Sequence, residues 1–316
     1  MTKLAVIALG GNAILRGDQR GTTQEQYKNL EDTLQNLVFL LKQGYNIVLS
    51  HGNGPQVGNI LLQNEAGESQ YDVPAKPLDV CVADSQGSIG YMMERTLKNV
   101  LKEAGIEKEV VTIVTQVVVS KEDPAFQNYT KRVGKLYTKA KAEKMSADNG
   151  WTFKPSPKKK DAWRRVVPSP KPMQIMNVNI IKQLVNSGAI VIASGGGGIP
   201  VYQDDNGYLQ PLEAVIDKDA ASALMATKIG ADELYILTDV PYVYNNFGQP
   251  NQEVLKTVSK KKIEQLIENK AFGEGNMLPK VASALRFVTN GGTKSIITEA
   301  SQLHNPEVGT RVVAQG

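Results

Sequence analysis

The chain has 316 residues, 41% hydrophobic and 22% charged, with one cysteine and two histidines. That length and apolar content suit a large α/β core, built as one unit or as two halves sharing a sheet. Two histidines exclude a histidine-rich metal site and argue against a hydrolase triad, and the lone Cys81 excludes an internal disulfide. No run approaches the roughly 18 apolar residues of a membrane span, and the opening run Leu4–Leu9 is too short for a signal-peptide core. A cytoplasmic protein without a membrane partner is therefore expected.

Short β-branched runs alternate with amphipathic helical patterns, which predicts an α/β fold with a largely parallel sheet. The first strand, Leu4–Leu9, runs into "GGNA". Paired glycines there either make a tight turn or clear side chains from a place where something approaches the backbone. Tyr27, Leu30, Leu34, Leu37 and Leu41 recur every three or four residues, predicting one helix. "TQEQ" at 23–26 resembles its capping box and Gly44 ends it. Strands are expected at 46–50, 110–119, 189–193, 234–238 and 295–298. "DDNGY" at 204–208 reads as a hairpin turn, so the sheet is expected to be mixed in places. Helices are expected at 217–229, ended by Gly230, and at 276–289, ended by Asn290 and Gly291. No internal repeat of fixed period is present.

The net charge of +4 conceals an asymmetry: residues 131–171 hold 13 Lys and Arg against 3 Asp and Glu. With "KPSPKKK" and "PSPKP" inside it, this tract is expected to be irregular in part. It fits either a solvated loop or a positively charged flap over an anionic ligand.

Three glycine-rich stretches, "IALGGNA", "SHGNGPQVG" and "ASGGGGIPV", each sit where a strand ends. Ligands of open α/β sheets bind outside the carboxyl ends of strands, and backbone N–H groups left bare there can hold phosphate or carboxylate oxygens. Neither the dinucleotide fingerprint nor the G-x-x-x-x-G-K-[ST] loop occurs, so phosphate binding rests on the convergence of the three. "VIDKDAAS" and "GNMLPK" place Lys218 and Lys280 in the first turns of helices, with Asp219 beside the former. Lysine opposes the helix dipole there, so these are either two exposed lysines or cations awaiting an anion. Two lysines held apart by an aspartate would suit phosphoryl transfer, which needs charge stabilisation more than acid–base chemistry. Cys81 has no basic partner in "KPLDVC" and reads as inert, and His304 reads as structural.

Together "ALGGNA", "GNGPQVG", "SQGSIGYMM", "WRRVVPSPKP", "GGGGIPV", "AVIDKDAAS", "ILTDV" and "NMLPK" resemble the carbamate kinases of the amino-acid kinase family, in order over nearly the whole chain. The resemblance implies an open three-layer αβα sandwich with a small protruding lid at about 121–172. It implies an acceptor half at 1–212 that includes the lid, and a nucleotide half at 213–316. It further implies ATP or ADP with Mg²⁺, carbamate or carbamoyl phosphate, and a homodimer. Carried onto this sequence, Gly10, Gly11 and Asn12 hold the transferring phosphoryl group, and Gly52, Asn53 and Gly54 the acceptor. Lys218 and Lys280 neutralise the transition state, Asp219 orients both, and Lys131 reaches from the lid toward carbamate. Asp239, Tyr244 and Met277 belong to the nucleotide pocket, and no protein metal ligands are expected.

The chain departs from the family pattern in three places: Tyr129 and Arg132 replace prolines around Lys131, "KKKDAWRR" stands where "DAGRGWRR" is common, and Asp84 replaces a small or apolar residue. These leave open a kinase of the same family acting on another small carboxylate. A more distant alternative is a non-catalytic protein that binds nucleic acid or another anion through the basic tract. The tract's four aromatics, Tyr137, Trp151, Phe153 and Trp163, make nucleic acid an unexpected partner.

Overall fold

The strand Leu4–Leu9 is buried along its whole length, and its alternating side chains feed two separate cores. A computed structural model describes residues 2–157, 159–273 and 277–315. In it, Leu4 and Val6 pack with residues of the helices Val178–Asn186, Lys218–Ile229, Lys260–Glu268 and Met277–Thr289. Ala5, Ile7 and Leu9 point the other way, into a core shared with Thr23–Gln35, Leu37–Lys42 and Leu78–Glu103. A strand that is apolar on both faces has to be covered on both, and the result is the expected three-layer αβα sandwich.

The central sheet has eight strands, in the order Thr257–Ser259, Thr310–Val313, Lys294–Glu299, Glu233–Thr238, Leu4–Leu9, Asn46–His51, Ile190–Ile192 and Val110–Thr112. Its pairings are parallel except where Thr310–Val313 runs antiparallel to Lys294–Glu299. The hairpin turn after Gln203 forms as expected, with Asp204 accepting from the amides of Asn206 and Tyr208. It belongs to a separate four-stranded sheet, so the mixing of the main sheet comes from its far edge instead.

Three expected elements form differently. The run 110–119 is two strands, Val110–Thr112 in the main sheet and Gln116–Val118 in the four-stranded one. The side chain of buried Gln86 accepts from Thr115 N and donates to Thr115 O, drawing the backbone out of the first sheet between them. The helix expected through Leu41 breaks at Asn36, whose side chain donates to Asp32 O and competes with the helical ladder. Its capping box lies one residue earlier than expected, between Thr22 and Glu25. Lys218–Ile229 and Met277–Thr289 form as expected and end at glycines of positive φ, Gly230 and Gly291. Asn276 lies outside the described residues.

The basic tract is irregular in part, as expected, at 168–171 and among the described residues of 156–162, but it is not a simple solvated loop. Lys131–Tyr137, Trp163–Val167 and Thr152–Pro155 make a three-stranded antiparallel sheet in that order, joined by the helix Lys139–Asn149. Tyr137, Ala142 and Met145 form its own small core with Trp151, Phe153 and Trp163. The aromatics scattered through a charged sequence are therefore what folds this lid.

Candidate active site

The strand Leu4–Leu9 delivers Gly10 beside the strand Glu233–Thr238, where a Cβ on Gly10 would stand 2.9 Å from Leu237 O. Gly11 is different: nothing lies within 4 Å of where its Cβ would be, and its φ is not positive. The bare backbone of Gly11 thus faces open space. That space is a cavity of about 290 Å³ whose walls include Gly11, Gly52, Asn53, Gly54, Lys131 and Lys218. Asp217, Asp219, Lys280, Arg132, Pro55 and Gly196 also line it.

The "HGNG" loop is built against the third glycine stretch. A Cβ on Gly195 would meet His51 Nε2 at 2.3 Å, and one on Gly196 would meet Asn53 Nδ2 at 2.2 Å. Gly197 and Gly198 are pressed in the same way against Ile216 O and Val117. These glycines chiefly permit close packing, and only Gly196 of the four lines the cavity. Asn53 donates to Ser85 Oγ instead of capping the helix Gly54–Tyr71, so the Gly54 N–H at its start has no side-chain cap where Gly54 lines the cavity. Gln86, which splits 110–119, also donates to Gly195 O. The "SQG" of Leu78–Glu103 therefore positions both loops.

On the opposite wall, Asp217 caps the helix Lys218–Ile229 by accepting from Asp219 N and Ala220 N. Ser222 of that helix bonds Ser50 Oγ at 2.6 Å, which ties it to the strand Asn46–His51. Asp219 Oδ1 lies 2.6 Å from Lys218 Nζ and Oδ2 lies 3.0 Å from Lys280 Nζ. Burial opposes ionisation of Asp219, but the two ammoniums outweigh it and hold the carboxyl at about 2. Burial pushes Lys218 below the ordinary lysine range, and the charge of Lys280 adds to this. Two buried cations on one carboxylate leave an excess positive charge aimed at a cavity lined by backbone amides.

Lys131 enters the cavity from the lid, with its ammonium 3.1 Å from Asp217 Oδ2. His51 is buried and donates through Nδ1 to Gly52 O. Burial pushes its pKa down to about 4, so it is neutral and suited to packing beside Lys218.

A larger cavity of about 700 Å³ adjoins it, lined by Asp239, Tyr244 and Met277 with Thr238, Phe247 and Phe272. Asn12 donates to Asp239 Oδ2 at 2.9 Å and so joins the first glycine loop to this second cavity. Of the site residues inferred from the sequence, eleven line these two spaces, which share Arg132, and the other two, Gly10 and Asn12, line a third beside them. Sequence reasoning missed Asp217 and Phe247. The signal for Asp217 was the aspartate two residues before Asp219 at a helix start, and an exposed phenylalanine in the turn "NNFG" marked Phe247.

Asp84 does not reach the acceptor cavity; it pairs with Lys76 at 2.8 Å. Cys81 is buried, with its thiol pushed up by burial, which agrees with an inert side chain. His304 is exposed and lines none of the three cavities. Among the described residues, no three His, Cys, Asp or Glu side chains group as metal ligands, and no helix is long and apolar enough to cross a membrane.

The sequence pattern of the amino acid kinase family matches residues 3–299. The carbamate kinase of Pyrococcus horikoshii is 45% identical over 315 residues, covering 99% of each chain. That of Lentilactobacillus hilgardii is 47% identical over 299 residues, covering 94% of this chain and 92% of the relative. The chain belongs to the carbamate kinase branch of the amino acid kinase family. A solved structure of this branch, carbamate kinase from Giardia lamblia bound to AMP-PNP, superposes with a TM-score of 0.92 at 40% identity, covering 99% of this chain and 98% of the other. Membership of the branch makes the chain an ATP-dependent kinase. Within the amino acid kinase fold, the two cavities, which share Arg132, lie at the carboxyl ends of the strands Leu4–Leu9, Asn46–His51 and Glu233–Thr238, where ligands of open α/β sheets bind.

Proposed function

We propose that this protein transfers a phosphoryl group reversibly between ATP and carbamate, and that in the cell it forms ATP from ADP and carbamoyl phosphate during arginine or related catabolism. The observation that carries this reading is the Lys218–Asp219–Lys280 cluster facing a 290 Å³ cavity walled by Gly11, Gly52 and Gly54. Such a space supplies amides and cations but no free carboxylate for the α-amino group of an amino acid, since Asp217 and Asp219 are already paired with lysines. It therefore favours a tiny planar anion.

The roles follow from position. Gly10, Gly11 and Asn12 present backbone and amide groups to the phosphoryl group, while Gly52, Asn53 and Gly54 border the acceptor. Lys218 and Lys280 offset charge on the equatorial oxygens, Asp219 holds the two apart, and Lys131 approaches from the lid. In-line transfer between adjacent bound partners needs no covalent phosphoenzyme. Asp239, Tyr244 and Met277 receive the nucleotide, in a half spanning 213–316, against an acceptor half spanning 1–212.

Mg²⁺ would accompany the nucleotide and neutralise its phosphates. Asp239 is the carboxylate shared by the 700 Å³ cavity and the space beside Gly10, so it would face the water shell of the ion. With no three-ligand cluster among the described residues, phosphate and water oxygens would supply most of the coordination. The same reading expects a cytoplasmic homodimer, which light scattering tests for its mass. The deciding assay couples ATP formation to ADP with carbamoyl phosphate, acetyl phosphate or an aminoacyl phosphate. Turnover confined to carbamoyl phosphate supports the proposal; faster turnover with either of the others overturns it.

A further inference from the structure

The lid sheet carries an arrangement of charge that the acceptor reading leaves unused. Arg132 pairs across the sheet with Val166, so Arg132, Val166 and Arg164 share one face, while Arg165 lies on the other. Arg165 is spoken for: it packs 3.8 Å over the Trp151 ring and pairs with Glu213 at 2.7 Å. Lys154, directly opposite Arg164, donates to Asn128 Oδ1. Arg132 and Arg164 have no carboxylate partner among the described residues. Arg164 Nε donates to Gly134 O, a contact that fixes the side chain without neutralising it. Burial and the neighbouring Arg132 charge both push Arg164 below the ordinary arginine range.

Both arginines line the 700 Å³ cavity, as do Tyr244, Phe247 and Met277. Arg132 lines the 290 Å³ acceptor cavity as well. Aromatic and thioether groups together with two uncompensated guanidiniums match a ligand with a flat apolar end and a polyanionic end. The one carboxylate among the described residues that line this cavity, Asp239, is already bonded to Asn12 and Thr238 and does not serve the arginines.

We propose that Arg132 and Arg164 form a lid-borne clamp on the polyphosphate of the nucleotide, with Arg132 at the junction where the phosphoryl group passes between the two cavities. The proposal rests on the nucleotide occupying the larger cavity. It gives the lid two separate contacts, Lys131 toward the acceptor and Arg132 toward the nucleotide, from adjacent residues of one strand. Guanidinium forks suit phosphate oxygens, and each charge-assisted contact is worth enough to read by substitution.

The test compares Arg132→Gln, Arg164→Gln and the double variant. ADP affinity is measured by calorimetry and inhibition by adenosine in the coupled assay. Each single variant is expected to weaken ADP binding by about tenfold, with adenosine inhibition unchanged within about twofold. Unchanged ADP affinity in Arg132→Gln overturns the clamp, as does an equal loss of adenosine affinity. Arg164→Gln loses the bond to Gly134 and could unfold the lid; among the described residues Arg132 makes no side-chain hydrogen bond, so its variant decides the matter alone. If the unaltered protein binds ADP through these arginines but makes no ATP from carbamoyl phosphate, the acceptor assignment fails and the clamp stands. If it turns over and both variants bind ADP normally, only the clamp fails.

Discussion

Asp217 serves two partners through its two oxygens: Oδ1 caps the helix that carries Lys218, and Oδ2 pairs with Lys131 of the lid at 3.1 Å. The lid cation Lys131 and the helix start that carries Lys218 are thereby referred to one carboxylate. Replacing Lys131 with Ala is expected to raise the KM for carbamoyl phosphate at least about tenfold, the ~1.4 kcal/mol of one charge-assisted contact. ADP affinity by calorimetry should stay within about threefold, since Lys131 does not line the 700 Å³ cavity proposed for the nucleotide. Asp217→Asn keeps an oxygen for the cap and should reproduce part of the rise. An unchanged KM in both variants removes the lid lysine from substrate capture.

Lys218 and Lys280 share Asp219, so each loss changes the charge that meets the transferring group. Either one replaced by Ala should lower kcat on the order of 10²–10³, the range for lost electrostatic donors. ADP affinity should change far less. A variant that keeps more than half its turnover removes that lysine from the mechanism.

Gly10 and Gly11 are adjacent, and their substitution should separate folding from chemistry. Gly11→Val has space for its side chain but fills the cavity, so turnover should vanish while the melting temperature stays near that of the parent. Gly10→Ala presses its methyl on Leu237 O and should lower the melting temperature instead. If Gly11→Val unfolds and Gly10→Ala does not, the functional reading of the first glycine loop is lost.

His51 gives a prediction in pH. Its folded pKa of about 4 lies below the ordinary 6.5, so the unfolded chain binds the extra proton between these values. Its contribution to stability is full above pH 6.5 and is lost as pH falls toward 4, at up to about 1.4 kcal/mol per pH unit for one group. Urea midpoints at pH 7.5, 6 and 5 should fall less steeply for His51→Gln than for the parent. Equal slopes would show that another group governs the acid side.

Much of the site could be read from the chain because its parts are local. The glycine runs, the first-turn lysines and Asp219 each lie within a few residues of a strand end or helix start, where pattern and chemistry coincide. The central strands were equally plain, being apolar on both faces. What escaped depends on contacts distant in sequence. The break within 110–119 is imposed by Gln86, some thirty residues earlier. The lid sheet folds through Tyr137, Met145, Trp151 and Trp163, whose packing together is not readable from a tract whose charge fits a solvated loop as well. The place of Arg132 in the lining of the 700 Å³ cavity follows from its register with Val166, which sequence spacing cannot give.

The position of Leu4–Leu9 in the sheet also governs how the chain must assemble during synthesis. One edge of this strand pairs with Asn46–His51 and can close early, but the other waits for Glu233–Thr238. Until nearly three quarters of the polypeptide has emerged, a fully apolar strand at the middle of the final sheet remains an open edge. Open apolar edges are templates for pairing with other chains, and long-range parallel pairing forms slowly. Nascent chains stalled before residue 233 should therefore aggregate or recruit holdase chaperones. The strands Thr257–Ser259, Lys294–Glu299 and Thr310–Val313 can add to the sheet only after that edge is filled.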